Sequence, residues 1–162
     1  MYKIGDKILY PPHGAGIIES IEERVVLGKK QGYYVMRMPS EDMTVMIPID
    51  SCDEIGVRFV IEKSEAIKVL DAFKSEPIEE DGNWNRRQRE NIVKIKSGDI
   101  YQVLSVVKAL MYRDLTKGLS TSERKMLNMS KKILTSEIVM SGACDIADVN
   151  SIITDTVEAL LK

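Results

Sequence analysis

The sequence predicts an α+β fold: a small, closed or half-open SH3-like β-barrel followed by a compact all-α domain of about five helices. Three observations carry this reading. Residues 1–50 hold short β-branched runs between glycine and proline breakers, with no helical period. From Ile61 onward, apolar residues recur at the spacing of amphipathic helices, with short breaks between them. The chain has 162 residues, 44% hydrophobic and 30% charged, and a formal charge of -2. That length suits one ordinary domain or two small ones, and the apolar content argues against a disordered chain.

Lys7–Tyr10 is the first expected strand, ended by the breaker cluster Pro11-Pro12-His13-Gly14. Ala15–Ile21 comes next, with Ile17, Ile18 and Ile21 as β-branched residues. Arg24–Leu27 then meets Gly28-Lys29-Lys30-Gln31-Gly32, a hairpin-like connection. Tyr33–Met38 and Thr44–Pro48 complete five strands. The barrel is assigned to residues 1–55, with 56–61 as a linker. A unit of that size is marginal alone and is expected to lean on the helical domain.

The helical domain is assigned to residues 62–162. Ala66, Val69, Leu70 and Phe73 place one apolar stripe along a helix over 62–74. An acidic loop, Ser75–Gly82, breaks it. A second helix is expected over 84–96, with Trp84, Gln88, Ile92 and Ile95 along one face and Ser97-Gly98 at its end. Asp99 is a suitable N-cap for a third, which carries Ile100, Val103, Leu104, Val107, Leu110 and Met111 and stops at Gly118. Ser120-Thr121-Ser122-Glu123 reads as a capping box opening a fourth, with Leu127, Leu134 and Ile138. Gly142 closes that helix, and Asp145 caps a fifth.

Enzyme chemistry finds little support. No phosphate-binding loop, dinucleotide fingerprint, zinc-protease motif or nucleophile elbow occurs. His13 is the one histidine; a loop residue hydrogen-bonded to backbone is expected rather than a metal ligand or general base. Cys52 and Cys144 lie far apart, offer no disulfide framework or zinc module, and are expected to be buried structural thiols. Glu76, Glu79, Glu80 and Asp81 could bind a cation, but a solvated loop explains them. Tyr2, Tyr10, Tyr33 and Tyr34 suit barrel core and rim better than an aromatic cage. No catalysis, cofactor or small-molecule substrate is therefore expected. The N-terminus lacks the apolar stretch of a secretory signal, and no run approaches the roughly 20 apolar residues of a membrane span. A cytoplasmic protein with no membrane partner is expected.

One stretch stands out. Residues 83–96 hold Arg86, Arg87, Arg89, Lys94 and Lys96 against the single acid Glu90. Three of these cations fall in the first turns of a helix, where the dipole disfavours them by a few tenths of a kcal/mol each. Guanidinium groups there suit phosphate oxygens, which the helix N-terminus also attracts. The only tryptophan, Trp84, directly precedes them in a polar context. A solvated basic face, with Trp84 tucked against the core, fits the composition equally well.

Gly5-Asp6-Lys7-Ile8-Leu9-Tyr10-Pro11-Pro12-His13-Gly14-Ala15-Gly16, Met43-Thr44-Val45-Met46-Ile47-Pro48, Asn83-Trp84-Asn85-Arg86-Arg87 and Gly118-Leu119-Ser120 with Glu123, Met126 and Leu127 resemble the CarD family of bacterial RNA polymerase-binding transcription regulators. The resemblance runs over essentially the whole chain, in order. The opening motif is shared with the polymerase-binding module of transcription-repair coupling factor. No helicase motor is present in this sequence, so the CarD type is expected. The resemblance implies a Tudor/SH3-like domain that docks on the polymerase β subunit, and a helical domain on promoter DNA at the upstream edge of the bubble. It implies a minor-groove wedge at Trp84, backbone contacts from Arg86, Arg87 and Arg89, and a polymerase contact from Arg24. It further places polymerase contacts on the strand containing Val45, Met46, Ile47 and Pro48. Met46 stands where a second basic residue is common, which removes one charge-assisted contact. The expected function is stabilisation of the open promoter complex with little dependence on DNA sequence. The alternative is a protein adaptor on polymerase that never touches DNA.

Overall fold

The computed structural model describes residues 1–162 except Pro12, Ser40 and 79–81. Of the acidic loop, Glu79, Glu80 and Asp81 therefore lie outside the described residues. Five strands, β1 (Lys7–Tyr10), β2 (Gly14–Val26), β3 (Lys29–Met38), β4 (Met43–Pro48) and β5 (Arg58–Phe59), form one sheet in the order β4-β3-β2-β1-β5. All the pairings are antiparallel. A 3-10 turn (Ile49–Ser51) leads into a one-turn helix, α1 (Cys52–Ile55). The longer helices are α2 (Lys63–Ser75), α3 (Trp84–Lys96), α4 (Ile100–Thr116), α5 (Thr121–Met140) and α6 (Ile146–Ala159). Among the described residues no helix is long and apolar enough to cross a membrane.

Two expectations change. The sheet is open rather than a closed barrel: β4 and β5 are its two edges and do not pair with each other among the described residues. Six helices are described rather than five, because the short α1 comes after the last long strand. The strand division also differs. The segments expected as Ala15–Ile21 and Arg24–Leu27 are one strand, β2, with a bulge where the register shifts between Ile18 and Ser20. The fifth strand is Arg58–Phe59, inside the segment expected to link the two halves. Two residues of pairing to β1 give too short an alternation to be read from sequence.

The long helices obey their signals. The side chains of Asn83, Asp99 and Asp145 accept from the backbone N–H of Arg86, Tyr101 and Asp148. Ser120 and Glu123 form the expected capping box. Gly16 on β2 is fixed by crowding: a Cβ there would meet the Arg37 carbonyl at 2.5 Å. Beyond β1 and β4, β2 and β3 continue as a two-stranded ribbon turned by Leu27-Gly28, with φ of 52° and 78°. Positive φ at both central residues suits the right-handed twist of a hairpin.

Two hydrophobic clusters result. The smaller lies on the sheet, with Ile8, Ile18, Tyr34, Met36, Met38 and Ile47. The larger lies among the helices and includes Phe73, Leu104, Val107, Ile133, Leu134 and Ile153. Leu9 and Ala15, from β1 and β2, belong to the helical cluster. Strand side chains alternate between faces, so one sheet face builds its own core and part of the other packs against α5. Ala15 N–H donates to Ser136 Oγ at 3.0 Å across this seam.

Candidate functional site

Four side chains were expected to meet nucleic acid, and the helix that carries them divides them. α3 starts at Trp84 because Asn83 caps it, accepting from Arg86 N–H at 3.0 Å. Trp84 is 46% exposed. Arg86 and Arg89 are exposed. Arg87 turns inward: its side chain is 11% exposed and its Nη2 lies 3.4 Å from Glu123 Oε2. Glu123 is buried and also faces Arg113 at 3.6 Å, while its Oε1 accepts from the Ser120 hydroxyl at 3.1 Å. Gln88, one residue on, donates to Ser122 Oγ at 2.6 Å. The 3.6-residue period makes this division: residues 87, 88 and 95 face α5 and the core, and 86 and 89 face outward. A buried carboxylate shared by two guanidiniums and a cap is an anchor for α3.

The residues expected to meet a protein partner also divide, by strand alternation. β4 is an edge strand, so one of its sides has no neighbour among the described residues. Met46 pairs opposite Val35 and Pro48 opposite Tyr33. Ser20, Glu22 and Arg24 pair opposite Val35, Tyr33 and Gln31. Directly opposed residues share a face, so Arg24, Met46 and Pro48 lie on one face of the sheet. Val45 and Ile47 lie on the other, where Ile47 is fully buried opposite Tyr34 and Val45 packs against the sheet cluster. Arg24 is exposed and makes a 3.3 Å contact with Glu22, two residues away on the same face.

The other candidates are accounted for by packing. The His13 ring lies against Tyr10, centroids 4.6 Å apart, and its backbone N–H donates to the Tyr10 carbonyl at 2.6 Å. Partial burial, then the nearby Lys132 cation, lowers its pKa, while Glu41 opposes. Cys52 is buried and Cys144 half-buried; burial, then neighbouring aspartates, raises both thiols, the opposite of an activated nucleophile. Tyr34 is buried in the sheet core, Tyr2 stacks edge-on against it, and Tyr10 and Tyr33 are half-buried. No group of three or more His, Cys, Asp or Glu among the described residues could hold a metal ion.

Sequence reading gave Glu123 only a capping role and Arg87 only a DNA contact, and it missed their pairing, Arg113, and the Arg58–Glu137 pair. A signal existed for each carboxylate. Glu123 is the third helical residue of a capping box, and Glu137 sits within Ile133-Leu134-Thr135-Ser136-Glu137-Ile138, where an acid inside an apolar face calls for a buried partner.

Known proteins match along nearly the whole length. Residues 2–61 match the family described as CarD-like/TRCF RID domain, and residues 68–154 match CarD, C-terminal domain. A Bacillus subtilis (strain 168) protein, named "Putative transcription factor YdeB", is 41% identical over 138 residues, covering 85% of this chain and 90% of its own. The solution NMR structure of the 72-residue N-terminal domain of Myxococcus xanthus CarD is 30% identical, covering 36% of this chain and 79% of its own, with a TM-score of 0.33. With both of its halves matched in order, the chain belongs to the CarD family of transcription regulators.

Proposed function

We propose that this protein binds the RNA polymerase β subunit through its sheet and promoter DNA at the upstream edge of the bubble through α3, and that it thereby stabilises the open complex. On the sheet, the polymerase contacts are Arg24, Met46 and Pro48, with the open edge of β4 beside them. Val45 and Ile47 support that strand from within. On α3, Trp84 is the wedge and Arg86 and Arg89 hold the phosphate backbone. Arg87 serves the same surface indirectly, by anchoring the helix through Glu123.

The observation that carries the DNA half is the exposure of Trp84 beside Arg86 and Arg89 at one helix end. A large half-exposed aromatic costs little to desolvate against a base step, and the adjoining guanidiniums meet the phosphates that flank it. A wedge must offset the cost of unstacking, so it favours DNA that is already distorted, such as a bubble edge. Phosphate contacts carry no base information, which leaves the choice of promoter to the polymerase. The family of the first 60 residues, which includes the polymerase-interaction module of the coupling factor, supports the sheet half.

The test is open-complex decay with the full chain and its Trp84→Ala variant. The variant should keep its polymerase affinity and lose most of the added lifetime. Equal lifetimes with both proteins would leave the adaptor reading in its place.

A further inference from the structure

The two proposed surfaces lie on different parts of the molecule, and a buried ion pair is among the contacts that join those parts. Arg58, on β5, grips Glu137 of α5 with both Nη atoms, at 2.5 and 2.8 Å. Its Nε donates to the carbonyl of Gly98 at 2.8 Å. Gly98 lies in the turn directly after α3, the helix of Trp84, Arg86 and Arg89. Glu137 is 0% exposed, and its Oε2 also accepts from the Ile61 backbone N–H at 3.0 Å. One guanidinium and one carboxylate thus tie the edge strand of the sheet, the segment leading to α2, the turn after α3 and the last turn of α5. Three further contacts cross the same seam: Ala15 N–H to Ser136 Oγ at 3.0 Å, Lys7 Nζ to the Met140 carbonyl at 3.1 Å, and Lys132 to Glu41 at 2.6 Å.

We propose that Arg58 and Glu137 are positioning residues that fix the direction in which α3 projects from the sheet, so that polymerase and DNA can be engaged at once. This inference rests on the reading of the two surfaces given above. Apolar contact at the seam is non-directional and would tolerate some rotation of one unit on the other. A planar bidentate fork whose third donor, Nε, is held by a carbonyl of the α3–α4 turn does not. Buried ion pairs contribute little net stability against apolar replacements of similar volume, and defining one arrangement is the better account of this one. The functional gain is in effective concentration: once the sheet is bound, α3 finds DNA as an intramolecular partner only if the geometry spans both sites.

The experiment uses the full chain with two substitution sets, Glu137→Gln and the double variant Arg58→Met with Glu137→Met. Glu137→Gln keeps the shape and an acceptor oxygen; the double variant removes both charges, so no buried charge is left unpaired. Spin labels on Thr44→Cys (β4) and Lys96→Cys (α3), with Cys52 and Cys144 replaced by alanine, report the distance between the sheet and α3. A single narrow distance distribution is expected for the parent, broader in Glu137→Gln and broadest in the double variant. Affinity for polymerase without DNA, and for a short duplex without polymerase, should stay within about twofold of the parent. The added open-complex lifetime should fall at least about tenfold in the double variant. An unchanged distance distribution in both variants overturns the proposal, as does a broadened one with full open-complex lifetime. Parallel loss of both separate affinities would mean a general structural role and would also overturn it. If the parent protein itself has no effect on open-complex lifetime, the function proposed above fails, and the distance distributions alone still decide whether the pair fixes the orientation.

Discussion

The two faces of α3 carry the same residue type to opposite ends. Arg86 and Arg89 point to solvent, while Arg87, between them, is almost enclosed and faces a buried carboxylate. On the outer face, charge is within reach of solvent anions, and its worth depends on salt. On the inner face, charge is committed; its worth depends on a partner that cannot leave, and salt hardly reaches it. A basic cluster in a sequence is thus not one feature with one role. On a helix, a shift of one position can turn a ligand contact into a structural tie.

The largest effect should come from breaking the inner side. Arg87→Ala should lower the stability of the fold by about 3 kcal/mol, near the low end for one partner of a buried pair because Arg113 still faces Glu123. A denaturant midpoint measures this, and an unchanged midpoint would move Arg87 back among the surface contacts. On the outer side, Trp84→Ala should leave melting nearly unchanged while open complexes lose about 1–3 kcal/mol of stabilisation. A large fall in melting temperature would instead make Trp84 part of the helical core.

Removing Arg86 and Arg89 together should leave stability within about 0.5 kcal/mol and flatten the salt dependence of DNA binding. For two phosphates the slope of log K against log salt is about -1.8, or roughly a 12-fold loss between 50 and 200 mM. A parent slope near about -2.7 would show that Arg87 also meets a phosphate, against its enclosed position. On the sheet, Met46→Arg should tighten polymerase binding and Arg24→Glu should weaken it, each by about 1 kcal/mol or less for a rim charge. Titration at two salt concentrations tests both, and equal affinities for all three proteins would remove this face from the interface.

The smallest effect should be that of His13. Its pKa in the folded protein is lowered, by partial burial and by Lys132, so folding favours the neutral ring. The resulting stability is present above the ordinary histidine pKa of about 6.5 and is lost as pH falls through the lower, folded value. His13→Gln should flatten this part of the stability–pH curve, and an unchanged curve would mean that the ring titrates as it does in water.

Much of the helical half was legible from local rules. Asp99, Ser120 and Asp145 cap the helices the sequence assigned them, and Asn83, which the sequence reading did not name as a cap, does the same for α3. All four contacts reach N–H groups two or three residues on and need nothing distant. α3 begins and ends where its sequence signals place it. The sheet was less legible, because its decisive feature is a bulge. Up to Ile18, which pairs with Met36, β2 turns its even-numbered residues to the sheet core; after the bulge, Ser20 pairs with Val35 and the parity reverses. Unbulged, β2 would place Arg24 on the face of Tyr34 and Ile47; bulged, it shares a face with Met46 and Pro48. One extra residue decides where a candidate contact points, and nothing in Glu19-Ser20 announces it.

By itself, the sequence determined the kinds of element, the helix ends, the absence of recognisable catalytic motifs and the family. These depend on short-range periodicity, on caps and on motifs that persist in linear order. Tertiary structure alone decided that the sheet stays open, that Arg87 faces inward, and that Arg58 meets Glu137 across a long stretch of chain. Each of these is a choice among partners far apart in sequence, made by which charges lose water together and which strand edges meet. Such choices depend on burial and three-dimensional proximity, and the linear order of residues records neither.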